Sequence, residues 1–333
     1  MKRKCAIFTF FLKTIENMKK LRFISIGLMF LIVTMTSCKK VECMQCECQN
    51  GLEENIISCT QVYYPTDDCH IFYYLGGHFY AQNKTNDTNH NGYAMHSGIW
   101  TFGGVPGIIR FFLFFDLFDY NNTEKTLIKN TSLYLYGHPT YYMGHSSNTP
   151  TNRHVFNRVV DYWDETIITW NNQPDVDETT SIITDHIPGT MNNPGRDDYI
   201  FNLNDILLEN GKLKADYKGI SCRPYQEDVN NYYRQVTFAT RESGFKELLP
   251  MLKIEYALPL PKIIFENKIF SLTSNEDLKA LFNVQYVWTI NGEINTGESV
   301  RFERTANRYI AHLQIIITNN IGEITRYCIS RTF

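Results

Sequence analysis

Three acidic residues near the middle of the chain, Asp161, Asp164 and Glu165, are the first candidates for chemistry. Two carboxyl groups facing each other at roughly 5–10 Å across a cleft, one with a raised pKa, hydrolyse glycosidic bonds. Here they stand around Trp163 and Trp170, in a motif whose indoles look architectural, and Glu165 reads as a hydrogen-bonding partner for turn amides. The run His138, Tyr141, Tyr142, His145 and Arg153 carries the residue types a polysaccharide lyase uses, yet it falls between two strand-like segments as a polar loop. No nucleophile elbow, zinc-protease helix or phosphate loop is written anywhere in the chain. No catalytic residue is assigned.

Binding a sugar asks less than cleaving one. Flat aromatic faces stack on pyranose rings while Asn, Asp or Arg side chains take the hydroxyl and carboxylate groups. Tyr141, Tyr142, Tyr225, Tyr232 and Tyr233, with Arg153, Arg223 and Arg234, are the loop-borne candidates for that role. Asp87, Asp197 and Asp198 could lend oxygens to a structural calcium, although the alternating carboxylates of a dedicated calcium loop are absent. Cys43 and Cys46 have zinc-like spacing, but no second close pair follows, so no metal site is assigned.

The elements that must position these residues read as strands. The 333 residues carry 32 basic and 35 acidic side chains, a net charge of -3 that gives no electrostatic reason to expect nucleic acid. Hydrophobic residues at 43% and charged ones at 20% are a globular composition, and aromatics at 14% favour pleated, half-buried surfaces. From Cys69 to Tyr256, short apolar runs alternate with Asn, Asp, Gly and Thr, the pattern of a sandwich or jelly roll. Leu203 to Leu213 is the one helical-looking stretch, with Asn204 and Asp205 as caps. The loop from Asn83 to Asn91 is too polar to pack. In the longest run, Leu113, Phe115 and Leu117 share one face, and Arg110, Phe112, Phe114 and Asp116 share the other. Both faces are apolar, which predicts a central strand covered on each side; the alternative is an exposed aromatic patch.

The beginning of the chain points to export. From Met18 it reads MKKLRFISIGLMFLIVTMTSC, a cationic start followed by an apolar run and small polar residues. The run from Phe23 to Val33 is about 11 residues, short of the roughly 20 that span a membrane. Met35 to Cys38 is similar to a bacterial lipobox, which makes Cys38 the lipidated residue and Met18 the expected start of translation. Lys39 in place of Asp directs such a lipoprotein to the outer membrane, at the cell surface or periplasmic face. Five cysteines between Cys43 and Cys69 then suggest a disulfide-stapled neck, with Cys222 and Cys328 beyond it and at least one thiol left over.

Several segments resemble a known family. Arg110 to Leu117 (RFFLFFDL), Ser132 to Tyr136 (SLYLY), Trp163 to Pro174 (WDETIITWNNQP), Tyr199 to Ile206, Val236 to Glu242 (VTFATRE) and Pro250 to Tyr256 are similar, in order and spacing, to the strands of DNRLRE domains. These are relatives of carbohydrate-binding module family 96. The resemblance makes Arg110, Asp116, Trp163, Glu165, Trp170, Asn171, Arg241 and Glu242 motif residues with structural roles. The segment near Cys69 to Trp100 matches least. After Pro259 and Pro261, Tyr286 to Gly292 and Tyr309 to Gly322 resemble PKD-type immunoglobulin-like domains, with Trp288 as a core residue.

The expected fold class is therefore all-β: a jelly-roll-like antiparallel β-sandwich followed by a small Ig-like β-sandwich. Its divisions are a signal peptide at 1–37, a lipidated cysteine-rich neck at 38–69, the family-like sandwich at 70–256, a proline linker at 257–262 and the Ig-like domain at 263–333. The resemblance implies a non-catalytic cell-envelope lipoprotein binding a polysaccharide or glycoconjugate. The alternative is a structural or adhesive surface protein contacting protein through Phe112 and Phe114, and a polysaccharide lyase or hydrolase comes last.

Overall fold

The computed structural model describes residues 56–74, 93–117, 127–139, 145–147, 152–190, 197–273, 276–303 and 308–333. The leader, Cys38, the cysteines 43, 46 and 48, the loop 83–91 and the pair Tyr141 and Tyr142 lie outside them. The described part is all-β, as the composition predicts.

The first sandwich is built from β1 (Ile56–Tyr63), β2 (Asp67–Tyr74), β3 (Ala94–Phe102), β4 (Val105–Phe114), β5 (Leu127–Leu135), β6 (Ser146–Ser147), β7 (His154–Val159), β8 (Val176–Ile183) and β9 (Tyr199–Asn202). There follow a single-turn α1 (Asn204–Leu207), the small hairpin β10 (Leu208–Glu209) and β11 (Lys212–Leu213), then β12 (Ile220–Pro224), β13 (Arg234–Ala239) and β14 (Met251–Pro259). One sheet has four strands in the order β1-β14-β5-β9, and the other has eight in the order β6-β13-β3-β4-β12-β7-β8, with β2 also paired to β4. Every pairing is antiparallel within both sheets. Phe111, Leu113, Phe115, Phe156 and Phe238 from the large sheet meet Leu133, Leu252 and Ile254 from the small one in a shared core.

β4 behaves as its sequence requires. Phe111 and Leu113 face that core, while Phe112, 1% exposed, enters a second cluster with Cys69, Ile71, Val159 and Ile168 on the other face. What covers this second face is the segment 163–174, through Trp163 and Trp170. The apolar run is continuous because both faces are dry. The patch offered for protein contact is accordingly not exposed: Phe112 is buried, and Phe114 is half-buried against Tyr217, their ring centroids 6.1 Å apart.

Four expectations change. The neck at 38–69 overlaps the sandwich, since β1 and β2 begin at Ile56 and Asp67 and pair with β14 and β4. Cys59 and Cys69 are buried and unbridged, one in each sheet, and Cys222 is likewise a buried free thiol, so these residues pack as small apolar side chains and staple nothing. The linker at 257–262 is shortened, because β14 runs through Pro259 and Leu258 pairs with Ile57. The helix at Leu203 to Leu213 stops after one turn, and Asn204 does not cap it: its side-chain oxygen accepts hydrogen bonds from the Thr131 amide at 2.7 Å and hydroxyl at 3.0 Å.

The second sandwich follows directly. It holds β15 (Ile263–Glu266), β16 (Ile269–Leu272), a short α2 (Glu276–Leu281), β17 (Asn283–Ile290), β18 (Glu293–Thr296), β19 (Val300–Arg301), β20 (Ile310–Thr318) and β21 (Ile324–Thr332). Its sheets, β15-β16-β19 and β18-β17-β20-β21, enclose the fully buried Trp288, whose indole N–H donates to the Gly297 carbonyl at 2.7 Å. This module closes the outer edge of β1. The Tyr327 hydroxyl accepts from the Ser58 amide at 2.9 Å and donates to the Ser58 carbonyl. The Asn320 side chain accepts from the Val62 amide at 3.1 Å and donates to the Val62 carbonyl, and the Asn320 amide donates to Gln61 Oε1 at 2.9 Å. Side chains thus replace the missing neighbour strand, and an edge that would otherwise template pairing is satisfied.

Asn320→Ala should cost about 1–3 kcal/mol in urea unfolding, the penalty for orphaning buried backbone groups. Ile321→Ala beside it, 44% exposed, should stay within about 0.5 kcal/mol of the parent.

Candidate functional site on the outer face of the large sheet

The segment 163–174 is stiffened by its own polar residues before it touches the sheet. Asp164 accepts from the Thr166 amide at 2.8 Å and hydroxyl at 2.6 Å, and these bonds hold its carboxyl below the usual carboxylate range. Asn172 accepts from the Thr169 hydroxyl at 2.6 Å and donates to the Ile167 carbonyl at 3.0 Å. The folded segment then docks. Trp163 lies 5.7 Å from Phe112, centroid to centroid, and its N–H donates to the Lys218 carbonyl at 3.0 Å. Gly219 makes this approach: at φ +134°, a Cβ there would sit 2.7 Å from the Leu113 oxygen and 3.1 Å from the Trp163 indole nitrogen.

Glu165 ties the segment to two other parts of the sandwich. It accepts from the Asp68 amide at 3.0 Å and from Arg241 Nη2 at 2.6 Å, while Arg241 Nε donates to Glu242 at 2.6 Å. The expectation of a bond to backbone amides is met in kind, but the amide belongs to β2. Trp170 is held on two sides: Tyr73 stacks on it at 5.1 Å, and the Arg110 guanidinium lies 4.4 Å from its centroid. Arg110 is in turn fixed by a two-pronged ion pair to Glu227, at 2.6 and 2.7 Å, and by Gln173 at 2.8 Å. Asp116 and Asn171, the remaining motif residues, are exposed and do not line the cleft formed here.

That cleft has a volume of about 500 Å³ and is lined by Arg110, Phe112, Gln173, Glu178, Ser221 and Arg223, among others. Arg110 is fully engaged. Arg223 is not, for its only ion-pair partner among the described residues is Glu178 at 3.7 Å, whose side chain is 71% exposed. Such a pair is worth little in water, and a ligand group can replace it. Two residues along the same strand direction, Tyr225 is 37% exposed with the Arg153 guanidinium 5.0 Å from its ring centroid. Tyr232, 40% exposed, meets the edge of Tyr233, and Tyr233 meets Trp100. Tyr233 has φ +64°, the left-handed region a bulky residue rarely occupies, and is held there by its amide bonding the Ile99 carbonyl at 2.9 Å.

The candidates from sequence therefore divide. Arg153, Arg223, Tyr225, Tyr232 and Tyr233 lie in or beside β12 and the loop that follows it. Arg234 does not belong with them: it is 2% exposed, and its guanidinium donates to the carbonyls of Asn231 and Gln226, which fastens that loop from beneath. Tyr73, Gln173, Ser221 and Glu178 were not singled out by sequence. Gln173 stands inside the Trp163 to Pro174 motif, the one signal available for it.

The polar residues that suggested catalysis occupy other places. Asp161 and Asp164 are exposed and do not line the cleft described above. His138 and His145 are buried, and the His145 ring accepts from the Thr237 amide at 3.0 Å. A Ser97, His154 and Asn152 chain, with links of 2.9 and 3.0 Å, has the order of a hydrolytic triad, but the three are at most 1% exposed and serve as core polar groups. Among the described residues no group of three or more His, Cys, Asp or Glu could hold a metal ion; Asp198 instead accepts from the Gly137 amide at 3.3 Å.

No family model and no curated protein matches the chain. Among solved structures, the Bacillus licheniformis lipase BlEst2 in its propeptide form aligns with 64% of this chain and 42% of its own, at 9% identity and a TM-score of 0.13. The chain thus spans under half the length of that protein, and a likeness so low carries no argument.

Burial holds several histidines neutral, His96 and His145 down at about 4, His154 at about 3, and His70 well below its ordinary value. Their unfolded forms protonate near pH 6.5, so their contribution is present above that pH and lost as it falls towards about 4. Urea unfolding should show each group removing about 1.4 kcal/mol per pH unit below about 6.5, and His96→Gln should flatten the slope.

Proposed function

We propose that this chain is a non-catalytic cell-envelope lipoprotein that binds polysaccharide on the outer face of its large sheet. The observation that carries the reading is the cleft itself. A loosely paired guanidinium, Arg223, lines it together with Phe112, Gln173 and Ser221, and the exposed Tyr225, backed by Arg153, follows two residues further along the chain. Flat rings flanking hydrogen-bond donors suit a sugar, whose rings offer both apolar faces and hydroxyl rims. The DNRLRE-like segments support the same reading, since Arg110, Phe112 and Gln173 from two of them line this cleft. The proposed attachment is through Cys38, on the outer membrane, with the second sandwich fixed to the first as one body. Arg110, engaged with Trp170, Glu227 and Gln173, shapes the cleft without being free to take a ligand.

Residues 39–333 probed on an array of acidic and neutral glycans should retain at least one polysaccharide. Arg223→Ala and Tyr225→Ala should each weaken it about tenfold or more, as for loss of a contact worth about 1.4–3 kcal/mol. Tyr162→Ala, 84% exposed and outside the cleft, should bind as the parent does. Retention unchanged in both cleft variants, or no retention by the folded protein, would refute the proposal.

A further inference from the structure

Beneath the segment 163–174, three carboxyl groups converge on one guanidinium. Asp68 is the second residue of β2 and is fully buried; Glu165 comes from the segment; Arg241 and Glu242 follow β13. Arg241 Nη2 and Nε are spent on Glu165 and Glu242, and its backbone amide donates to Asp68 Oδ2 at 2.7 Å. Asp68 Oδ1 and Glu242 Oε2 are buried and have no donor of their own. The carboxyl groups of Asp68 and Glu242, both held on Arg241, are thus each left with one buried oxygen that lacks a donor. Two ionised carboxylates have only acceptors, and one hydrogen shared between these oxygens would satisfy both. Three ionised carboxyl groups would also face a single cation, one of them, Asp68, out of reach of water, where unpaired charge is costly.

We propose that Asp68 and Glu242 hold one proton between them at neutral pH, and that this carboxyl–carboxylate bond is the latch that keeps the segment 163–174 closed on the sheet. The proton leaves Arg241 facing a matched set: Glu165 and one shared negative charge. The latch acts on the segment through the Asp68 amide and Arg241, which together hold both oxygens of Glu165. The other ionisable neighbours are Asp67, turned to the Thr66 hydroxyl at 2.8 Å, and the Cys69 thiol, which burial and the surrounding carboxylates push up and keep neutral. Burial and Glu242 act in the same direction on Asp68, holding its carboxyl well above the ordinary range. Because the folded form keeps a proton the unfolded chain has lost, the stabilisation is complete below the unfolded carboxyl pKa and disappears as pH rises through the folded one. This is independent of what the cleft binds.

The test is a pH series on the folded protein and on Asp68→Asn, whose amide can donate permanently to Glu242 while its oxygen still accepts from Arg241. Difference infrared spectra of the parent should show a protonated-carboxyl stretch at neutral pH that vanishes on raising the pH and is absent from Asp68→Asn. Hydrogen-exchange protection of the amides of residues 163–174 should fall in the parent as pH rises towards the titration, by up to about tenfold per pH unit, level off above it, and stay level throughout in the variant. Absence of the carboxyl band from the parent at neutral pH overturns the proposal without recourse to any variant. So does an equal alkaline loss of protection in Asp68→Asn. A band abolished by added calcium together with a rise in Tm would assign the two oxygens to a cation and overturn it as well.

Discussion

A strand that is apolar on both faces must be covered twice, and most of the large sheet's architecture follows from that demand at β4. The first cover is the ordinary one, the opposing sheet. The second is an irregular segment, which cannot hide its backbone groups in a ladder and must satisfy them by side chains. Asp164, Asn172 and the Trp163 indole do so, which is why a loop can serve as a wall. Burying Phe112 beneath that wall removes apolar area worth roughly 2–3 kcal/mol. It also raises the rim that makes a cleft out of an otherwise open sheet face.

Much of this arrangement was legible because it is local or periodic. Alternation in β5 and β14 marks strands, and the continuous apolar run in β4 marks a strand buried on both sides. The segments containing Arg110, Trp163 to Pro174 and Arg241, which share no stretch of sequence, meet in the fold through Trp170 and Glu165. What failed was of two kinds. Competing signals hid β1: Cys59 counted as one of a cysteine cluster, although the burial of Ile57, Cys59 and Gln61 follows a strand's alternation. Pro259 looked like a connector because proline lacks a donor, yet the end of a strand tolerates it.

Long-range partners were the second kind. Nothing in the sequence near Arg110 names Glu227, and nothing near Glu165 names Asp68, because such pairs are set by the crossing of chain segments far apart. Arg234 was misplaced for a related reason. A guanidinium is usually at the surface, and only the turn carbonyls of Gln226 and Asn231 allow this one to be buried. The aromatic candidates fared better since exposure at Tyr225 and Tyr232 depends on a loop, where sequence character and position coincide.

The closure of β1 by Asn320 and Tyr327 has a mechanical side. Tension arriving from the residues before Ile56 enters at β1, and there it meets eight residues in register with β14 together with the side-chain rungs to the second sandwich. Load applied along a strand must shear those bonds collectively, whereas load across it would unzip them singly. A pull along β1 would therefore be shared by all of these bonds at once.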